Sequence, residues 1–340
     1  MNTPLVSIII VNWNGLQWLK GCLPTIEKQT YANREIIIVD NASTDGSVAW
    51  IQKQYPSVLV IENDINKGYA EGNNIGYEHA KGKYIVFLNN DTKMAKEAVS
   101  ELVSYCEANK DVGCVQSKII LMDDEKRLDA YGAFLTPTGF LYHYGFNEKD
   151  AKEYEKEIEV YSAKGACMMF STEVLKEIEV EGKVFDERFF AYFEETDVCH
   201  RVWLIGKRIV VVPSSIIYHK VGATSSAMNN AFIQYHSFKN RMNTYLKNFE
   251  WKTICWMGIL HMGICLGIIV IVAAKGNWGL VRGIAQSVWW NGKQLKATLR
   301  KRKIVQESIR KVSDRMIMNK VMKCPTIAYY YNTFKMSAMS

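Results

Sequence analysis

An apolar run at residues 84–88, Tyr-Ile-Val-Phe-Leu, ends in Asn89-Asn90-Asp91-Thr92. Amides and a carboxylate are costly to bury unpaired, so a strand ending this way aims them at something polar outside the sheet. Further on, Glu194, Glu195 and Asp197 place three carboxylates within four positions, directly after a run rich in Phe and Tyr. Carboxylates that close raise one another's pKa, and an apolar wall raises it further, which prepares one to take a proton near neutral pH. Glu195 is the expected base, with Glu194 and Asp197 as positioning groups. An acidic helix N-terminus, favoured by the helix dipole, is the other reading of the same residues. His219 closes a β-branched run and, with Asp91, offers one nitrogen and one oxygen to a divalent cation; the alternative is a structural histidine. Asp40 suits hydrogen bonding to a ribose or base edge. Asp40 and Asp45 equally suit turn chemistry in Asn41-Ala42-Ser43-Thr44-Asp45-Gly46.

These groups need elements to carry them. Residues 6–11, Val-Ser-Ile-Ile-Ile-Val, form a continuous β-branched run of the kind expected in a strand covered on both faces. Asn12-Trp13-Asn14-Gly15 follows, then Leu16, Leu19, Cys22, Leu23 and Ile26 at helical spacing. Residues 35–39 make a second strand ending at Asp40, followed by a helix to about residue 55 and a strand at 58–61. The stretch Asn66-Lys67-Gly68-Tyr69-Ala70-Glu71-Gly72-Asn73-Asn74 precedes another helix, and residues 84–88 form the fourth strand. Alternating strands and helices predict a doubly wound α/β fold with a mostly parallel central sheet. Ligands of such sheets bind beyond the carboxyl ends of the strands, so Asn12, Asp40 and residues 89–91 should converge on one crevice. From about residue 112 the pattern loosens. Residues 123–125 and 148–159 read as solvated surface, 131–146 as a hairpin or a mobile loop over a site, and 163–170 as a turn and strand. Residues 210–213 and 216–219 close the front part. No Gly-Lys-Ser/Thr phosphate loop or G-x-G-x-x-G follows the first strand, which argues against ATPases and dehydrogenases.

The net charge of +7 over 340 residues conceals a split. Residues 1–225 hold 24 Lys/Arg against 32 Asp/Glu, whereas residues 226–340 hold 18 against 3. The chain accordingly divides at 225/226 into an acidic α/β domain and a basic helical region that wants an anionic partner. Residues 254–274 carry no formal charge apart from His261, with Trp251, Trp256 and Trp278 near the ends. That segment is a membrane span, an interfacial or re-entrant helix, or a buried core helix. The basic run at 293–315 beside it suits an anionic membrane surface, and no groove-reading or stacking module points to nucleic acid. The eight cysteines form no C-x-x-C pair, and no basic, apolar leader opens the chain, so the front part is expected at the cytoplasmic face of the membrane.

Residues 6–15, 39–47, 66–76, 87–92 and 185–201 together resemble the family 2 glycosyltransferases, and most of all their rhamnosyltransferase-like branch. The likeness covers about residues 4–225. It implies a GT-A fold, a nucleotide-diphosphate sugar donor, a divalent cation (Mg2+ or Mn2+) and inversion at the anomeric carbon. By the same likeness Asn12, Asn14, Asp40, Asn41, Gly68, Asn73, Asn74, Asn89 and Asn90 would serve the donor. Asp91 and His219 would hold the metal, and Glu195 would be the base. Asn89 stands where the family's first Asp is usual, leaving Asp91 as the main ligand of that motif, and Glu195 replaces a commoner Asp. The donor first expected is dTDP-L-rhamnose, the acceptor a lipid-linked or surface polysaccharide. Another hexosyl or galactofuranosyl donor, or a non-catalytic sugar-nucleotide scaffold, are the alternatives, and a homo-oligomer stays open.

Overall fold

The computed structural model describes residues 3–223, 230–326 and 329. Four parallel strands, β3 (Leu59–Glu62), β2 (Arg34–Asp40), β1 (Val6–Asn12) and β4 (Tyr84–Asn89), lie side by side in that order. Successive β1 side chains face opposite ways. Ile8 and Ile10 meet Leu19, Cys22, Leu23 and Ile26 of α1 (Leu16–Glu27), whereas Ile9 joins the apolar cluster on the other face. Burial on both faces is why these strands read as unbroken apolar runs. Helix α2 (Ser47–Gln54) leads into β3, and α3 (Gly68–His79) lies against β1 and β2. Its approach depends on Gly76, where a Cβ would sit 2.4 Å from the Ile9 Cγ2 methyl.

Beyond β4 the sheet becomes mixed. β11 (Cys167–Ser171) runs antiparallel between β4 and β6 (Val112–Leu121), and β12 (Arg208–His219) runs parallel to β6. β10 (Ile158–Glu159) closes that edge, β5 (Thr92–Met94) pairs with the end of β12, and β7 (Asp124–Ala130) pairs with β6. β8 (Ala133–Leu135) and β9 (Leu141–His143) form a hairpin within residues 131–146. Helices α4 (Ala98–Ala108), α5 (Thr172–Glu177) and α6 (Glu194–Leu204) complete the front part.

Two expectations change here. Residues 112–121, where the pattern loosened, form an interior strand. Its apolar signal is broken by Gln116, Ser117 and Lys118, which are buried yet paired. Gln116 accepts from the Lys164 N–H at 2.7 Å, Ser117 shares a hydrogen bond with Ser215 at 2.7 Å, and Lys118 meets Asp150 at 2.6 Å. The runs 210–213 and 216–219 are one strand, with a register irregularity between Val212 and Ile216.

Among the described residues, the α-helices α7 (Asn230–Asn248), α8 (Trp251–Ala274), α9 (Trp278–Lys293), α10 (Leu295–Ile304) and α11 (Asp314–Val321) follow, with a π-helical turn at Val305–Ile309 after α10. The expected boundary at 225/226 falls outside the described residues. Tyr245, Phe249, Met257, Val305 and Ile317 nevertheless sit in the same apolar cluster as Phe87 and Phe185 of the front part. The charge split closes on itself at this seam. Asp186 is buried and receives Arg188 at 2.7 Å, Lys247 at 2.8 Å and Lys301 at 3.0 Å. Burial alone would raise its pKa, but the three cations hold it well below the usual carboxylate range. Part of the basic run 293–315 therefore neutralises the acidic front instead of facing outward. Lys301 and Arg302 are buried, and Arg302 donates to the Leu246 and Phe249 carbonyls, each at 2.6 Å. Lys293, Lys296 and Lys303 stay exposed.

Helix α8 has 24 residues, a mean hydropathy of 2.4 over its best window, and a length of about 36 Å. Thr253, Met257, His261 and Cys265, successive at helical spacing, face inward. Ile259, Leu266, Val270 and Ile271 are exposed.

Candidate active site

The carboxyl ends of β1, β2 and β4 do meet. The Asn12 amide donates to Asp40 Oδ2 at 2.8 Å and Ser47 Oγ at 3.0 Å, and its oxygen accepts from Asn90 at 2.9 Å. Asp40 Oδ1 accepts from the Ser43 N–H at 2.8 Å, and Asn14 Oδ1 from the Thr44 N–H at 2.8 Å. Asn12, Asn14 and Asp40 thus tie the loop after β1 to the loop after β2, Asn12 and Asp40 buried behind the crevice wall and Asn14 at the exposed surface. The turn chemistry read for Asp40 is present in this geometry. Asn73 and Asn74 also turn away from the crevice. Asn73 donates to the Tyr69 carbonyl at 2.9 Å, and Asn74 brackets the Phe185 backbone at 2.9 and 3.0 Å.

In front of this layer lies a cavity of about 420 Å³. Asn41, Gly68, Asn89, Asn90, Asp91, Glu194, Glu195 and His219 line it, together with Trp13, Tyr69, Lys164 and residues 190–193. Asn41 donates to the Gly68 carbonyl at 3.1 Å. Gly68 has φ +79°, and a Cβ there would lie 2.4 Å from the Phe190 carbonyl oxygen, so the position admits only glycine.

Register explains one end of the cavity. β5 turns back after Asp91 and pairs with β12, Thr92 opposite His219, which brings Asp91 Oδ1 to 3.3 Å from His219 Nε2. On its other side His219 Nδ1 meets Asp129 Oδ2 at 2.7 Å, and Lys164 Nζ holds Asp129 Oδ1 at 2.6 Å. Burial works against a charged imidazole, but the Asp129 and Asp91 carboxylates outweigh it and raise the His219 pKa. Burial likewise opposes ionisation of Asp129, and Lys164 and His219 outweigh it, drawing its pKa down to about 2. Asp91 Oδ1 is buried without a hydrogen-bond partner. An orphaned carboxylate oxygen beside an imidazole nitrogen, the imidazole itself oriented by a second carboxylate, fits Mg2+ or Mn2+. No group of three or more His, Cys, Asp or Glu that could hold a metal occurs among the described residues, so most of the coordination would fall to ligand oxygens and water.

The other end carries the acids. Before α6 the chain takes three positive φ angles at non-glycine residues: Phe190 at +55°, Tyr192 at +70° and Phe193 at +71°. Such residues cost about 1–3 kcal/mol each and persist only where the surroundings hold them. Asn240 of α7 does so, donating to the Ala191 carbonyl at 2.9 Å and the Tyr192 carbonyl at 2.6 Å. This turn delivers Glu194 and Glu195 into the cavity. Burial, then repulsion from Glu195, pushes Glu194 well above the ordinary range, and its Oε2 has no partner. Burial raises Glu195 to about 7, against the pull of Lys164. Asp197, expected beside them, instead faces the seam, bonded to Arg201 and Lys247 at 3.1 Å each and to Asn248 at 3.0 Å. Burial opposes its charge, but Lys247 and Arg201 prevail and lower its pKa.

Asp129, Lys164 and Asn240 were not among the residues singled out from the sequence. Asp129 carried a signal, a carboxylate alternating with Leu128 and Ala130 in a strand. Lys164 and Asn240 gain their places only through tertiary contact.

A mixed α/β sheet with a polar crevice at its parallel strand ends, bordered by a His–Asp pair and a Glu pair, is a GT-A fold. A mannosyltransferase of Pyrobaculum calidifontis, solved with GDP-Man and Mn2+, superposes with a TM-score of 0.56 at 17% identity, covering 100% of this chain and 86% of that one. Residues 7–179 match the family model described as Glycosyl transferase family 2, and the chain belongs to that family. Among curated relatives, the Escherichia coli UDP-Glc:alpha-D-GlcNAc-diphosphoundecaprenol beta-1,3-glucosyltransferase WfaP is 36% identical over 107 residues, 31% of this chain and 43% of that one. Glycosyltransferase GlyG of Streptococcus pneumoniae is 25% identical over 225 residues, 64% and 70% of the two chains. The chain spans only 37% to 45% of the length of four curated relatives, WfaP among them.

Proposed function

We propose that this protein is an inverting, metal-dependent glycosyltransferase that moves a sugar from a nucleotide-diphosphate donor to a lipid-linked or polysaccharide acceptor. The observation that carries the reading is a single cavity lined by both Asp91–His219 and Glu194–Glu195. Glu195, poised near neutrality, takes the proton from an acceptor hydroxyl as that oxygen bonds to the anomeric carbon. The carbon's bond to the diphosphate oxygen breaks on the opposite face, and the electron pair leaves with the nucleoside diphosphate. One displacement inverts the centre and needs no covalent nucleophile. Asp91 and His219 would hold a divalent cation that neutralises the charge developing on the leaving diphosphate. Trp13, which lines the cavity and is 40% exposed, offers an apolar face to the nucleobase of the donor.

As donor we put dTDP-L-rhamnose first, on the motif likeness, with another hexosyl or galactofuranosyl nucleotide second. We place the protein at the cytoplasmic membrane face, seated through the exposed apolar side chains of α8, with Trp278 and Trp289 of α9 also exposed. Calorimetry and transfer assays with UDP-, dTDP- and GDP-sugars, each with and without Mg2+ or Mn2+, test the function. One nucleotide class should bind more tightly with metal and turn over. The absence of both binding and transfer across the whole panel sinks the proposal. Flotation with anionic vesicles tests the location, and Leu266→Glu with Val270→Glu should abolish it.

A further inference from the structure

We propose that Arg241 anchors a second anion site, for the phosphate of an amphiphile, behind the wall of the transfer cavity. The transferase reading enters only in taking that amphiphile as the acceptor. Arg241 lies on α7 and is 9% exposed. Its Nε and Nη1 have no hydrogen-bond partner, and Nη2 reaches only the Ser237 hydroxyl at 3.4 Å. No carboxylate pairs with it among the described residues. Its neighbours are ring faces: the guanidinium carbon is 4.4 Å from the centre of Phe140 and 5.3 Å from those of Phe193 and Phe238.

The contrast on the same helix is sharp. Lys247, buried more deeply still, meets both Asp186 and Asp197. Buried cations are normally paired, and aromatic faces return less than the hydration given up. With no counter-charge among the described residues, the site is left to a bound anion.

Its surroundings indicate what brings it. Phe193, one of the three rings, also lines the transfer cavity. Phe140, another, packs at 4.8 Å against the ring of His261 on α8. His261 Nε2 is buried without a partner as well, while Nδ1 lies 2.9 Å from the Thr138 carbonyl. The unpaired Arg241 N–H groups thus sit between the cavity wall and α8. A phosphate head with a hydrocarbon tail along α8 satisfies both features; a soluble diphosphate satisfies the first alone.

The test uses the full chain in detergent, with geranylgeranyl phosphate, geranylgeraniol and inorganic pyrophosphate as probes. Arg241→Met keeps the apolar stem and removes the charge. Its affinity for geranylgeranyl phosphate should fall at least tenfold, its affinity for geranylgeraniol should not change, and its unliganded melting temperature should hold or rise. Arg241→Lys should retain the preference for the phosphate over the alcohol. Equal affinity of wild type and Arg241→Met for the phosphate overturns the proposal, as does a lowered melting temperature with unchanged affinity. Arg241-dependent binding of pyrophosphate as tight as that of the lipid keeps the anion site and assigns it to a soluble ligand. Nucleotide-sugar binding by the wild type is measured alongside. Its absence, with Arg241-dependent phosphate binding intact, refutes the transferase reading and leaves this site standing.

Discussion

Replacing Glu195 by Gln removes a proton acceptor while keeping its size, and the structure sets how large the loss should be. The carboxylate sits in the cavity with its pKa raised to about 7 by burial, close to the pH at which a base is most useful. Loss of a general base costs about 10²–10⁴ in rate, or roughly 3–5 kcal/mol of transition-state stabilisation. The raised pKa adds a second signature. A base titrating near 7 is about one-tenth ionised at pH 6 and about nine-tenths at pH 8, so wild-type turnover should rise about tenfold across that interval. In Glu195→Gln the residual rate should lose that slope, and donor affinity should stay within about twofold because Gln keeps the cavity wall. The assay is single-turnover transfer with saturating donor and metal from pH 5.5 to 8.5, with donor binding by calorimetry. A variant retaining more than a tenth of wild-type turnover, or a wild-type profile flat between pH 6 and 8, refutes Glu195 as the base. Unaltered donor binding with no transfer by either protein favours the scaffold alternative.

Asp91→Ala should abolish transfer, whereas Asn89→Ala, which removes no buried orphan oxygen, should only weaken it; metal-titrated turnover of the two separates them. Asp129→Asn should weaken Mn2+ binding about 10–100-fold, measured by electron paramagnetic resonance, because the partner that orients His219 is lost. Asn240→Asp presents oxygens to the Ala191 and Tyr192 carbonyls where the amide donated, so turnover should fall at least tenfold, and Asn240→Ala should do less harm. Asp186→Asn takes from Arg188 its carboxylate and leaves Lys247 with Asp197 and Lys301 with Glu187 as their remaining close counter-charges, and should cost about 3–5 kcal/mol in urea unfolding at pH 7. Because the folded-state pKa of Asp186 is depressed, its contribution is complete above about pH 4 and is lost as the pH falls through the folded value.

Much of the front part was legible because its physics is local. β1, β2 and β4 announce themselves as β-branched runs, since both faces are buried, and their polar ends mark the crevice. β6 was hidden because its polar side chains find partners as distant as Ser215, which no window along the chain can contain. Within the site, Asp91, Glu195 and His219 stood out as strand and helix ends. Asp129 did not, because its meaning depends on a sheet that sets it beside His219, 90 positions away. The basic tail misled for the same reason. A sequence displays the charge of Lys301 but not Asp186, 115 residues earlier, which absorbs it.

The hold of Asn240 on residues 190–193 bears on how such a protein can be handled and how it can change over generations. Helix α7 grips the turn that presents the acids, and only Phe249 and Glu250 separate it from α8, the helix with the most exposed apolar surface. Cutting the chain where its charge changes sign would remove the clamp along with the sticky helix, leaving a more soluble fragment with a slack catalytic turn. Solubility has to come from polar substitutions on the outer face of α8, the length of the chain kept. A tail of this kind cannot be exchanged freely between relatives as a mere anchor. Any replacement must bring its own equivalent of the clamp, so the two halves are bound to drift together.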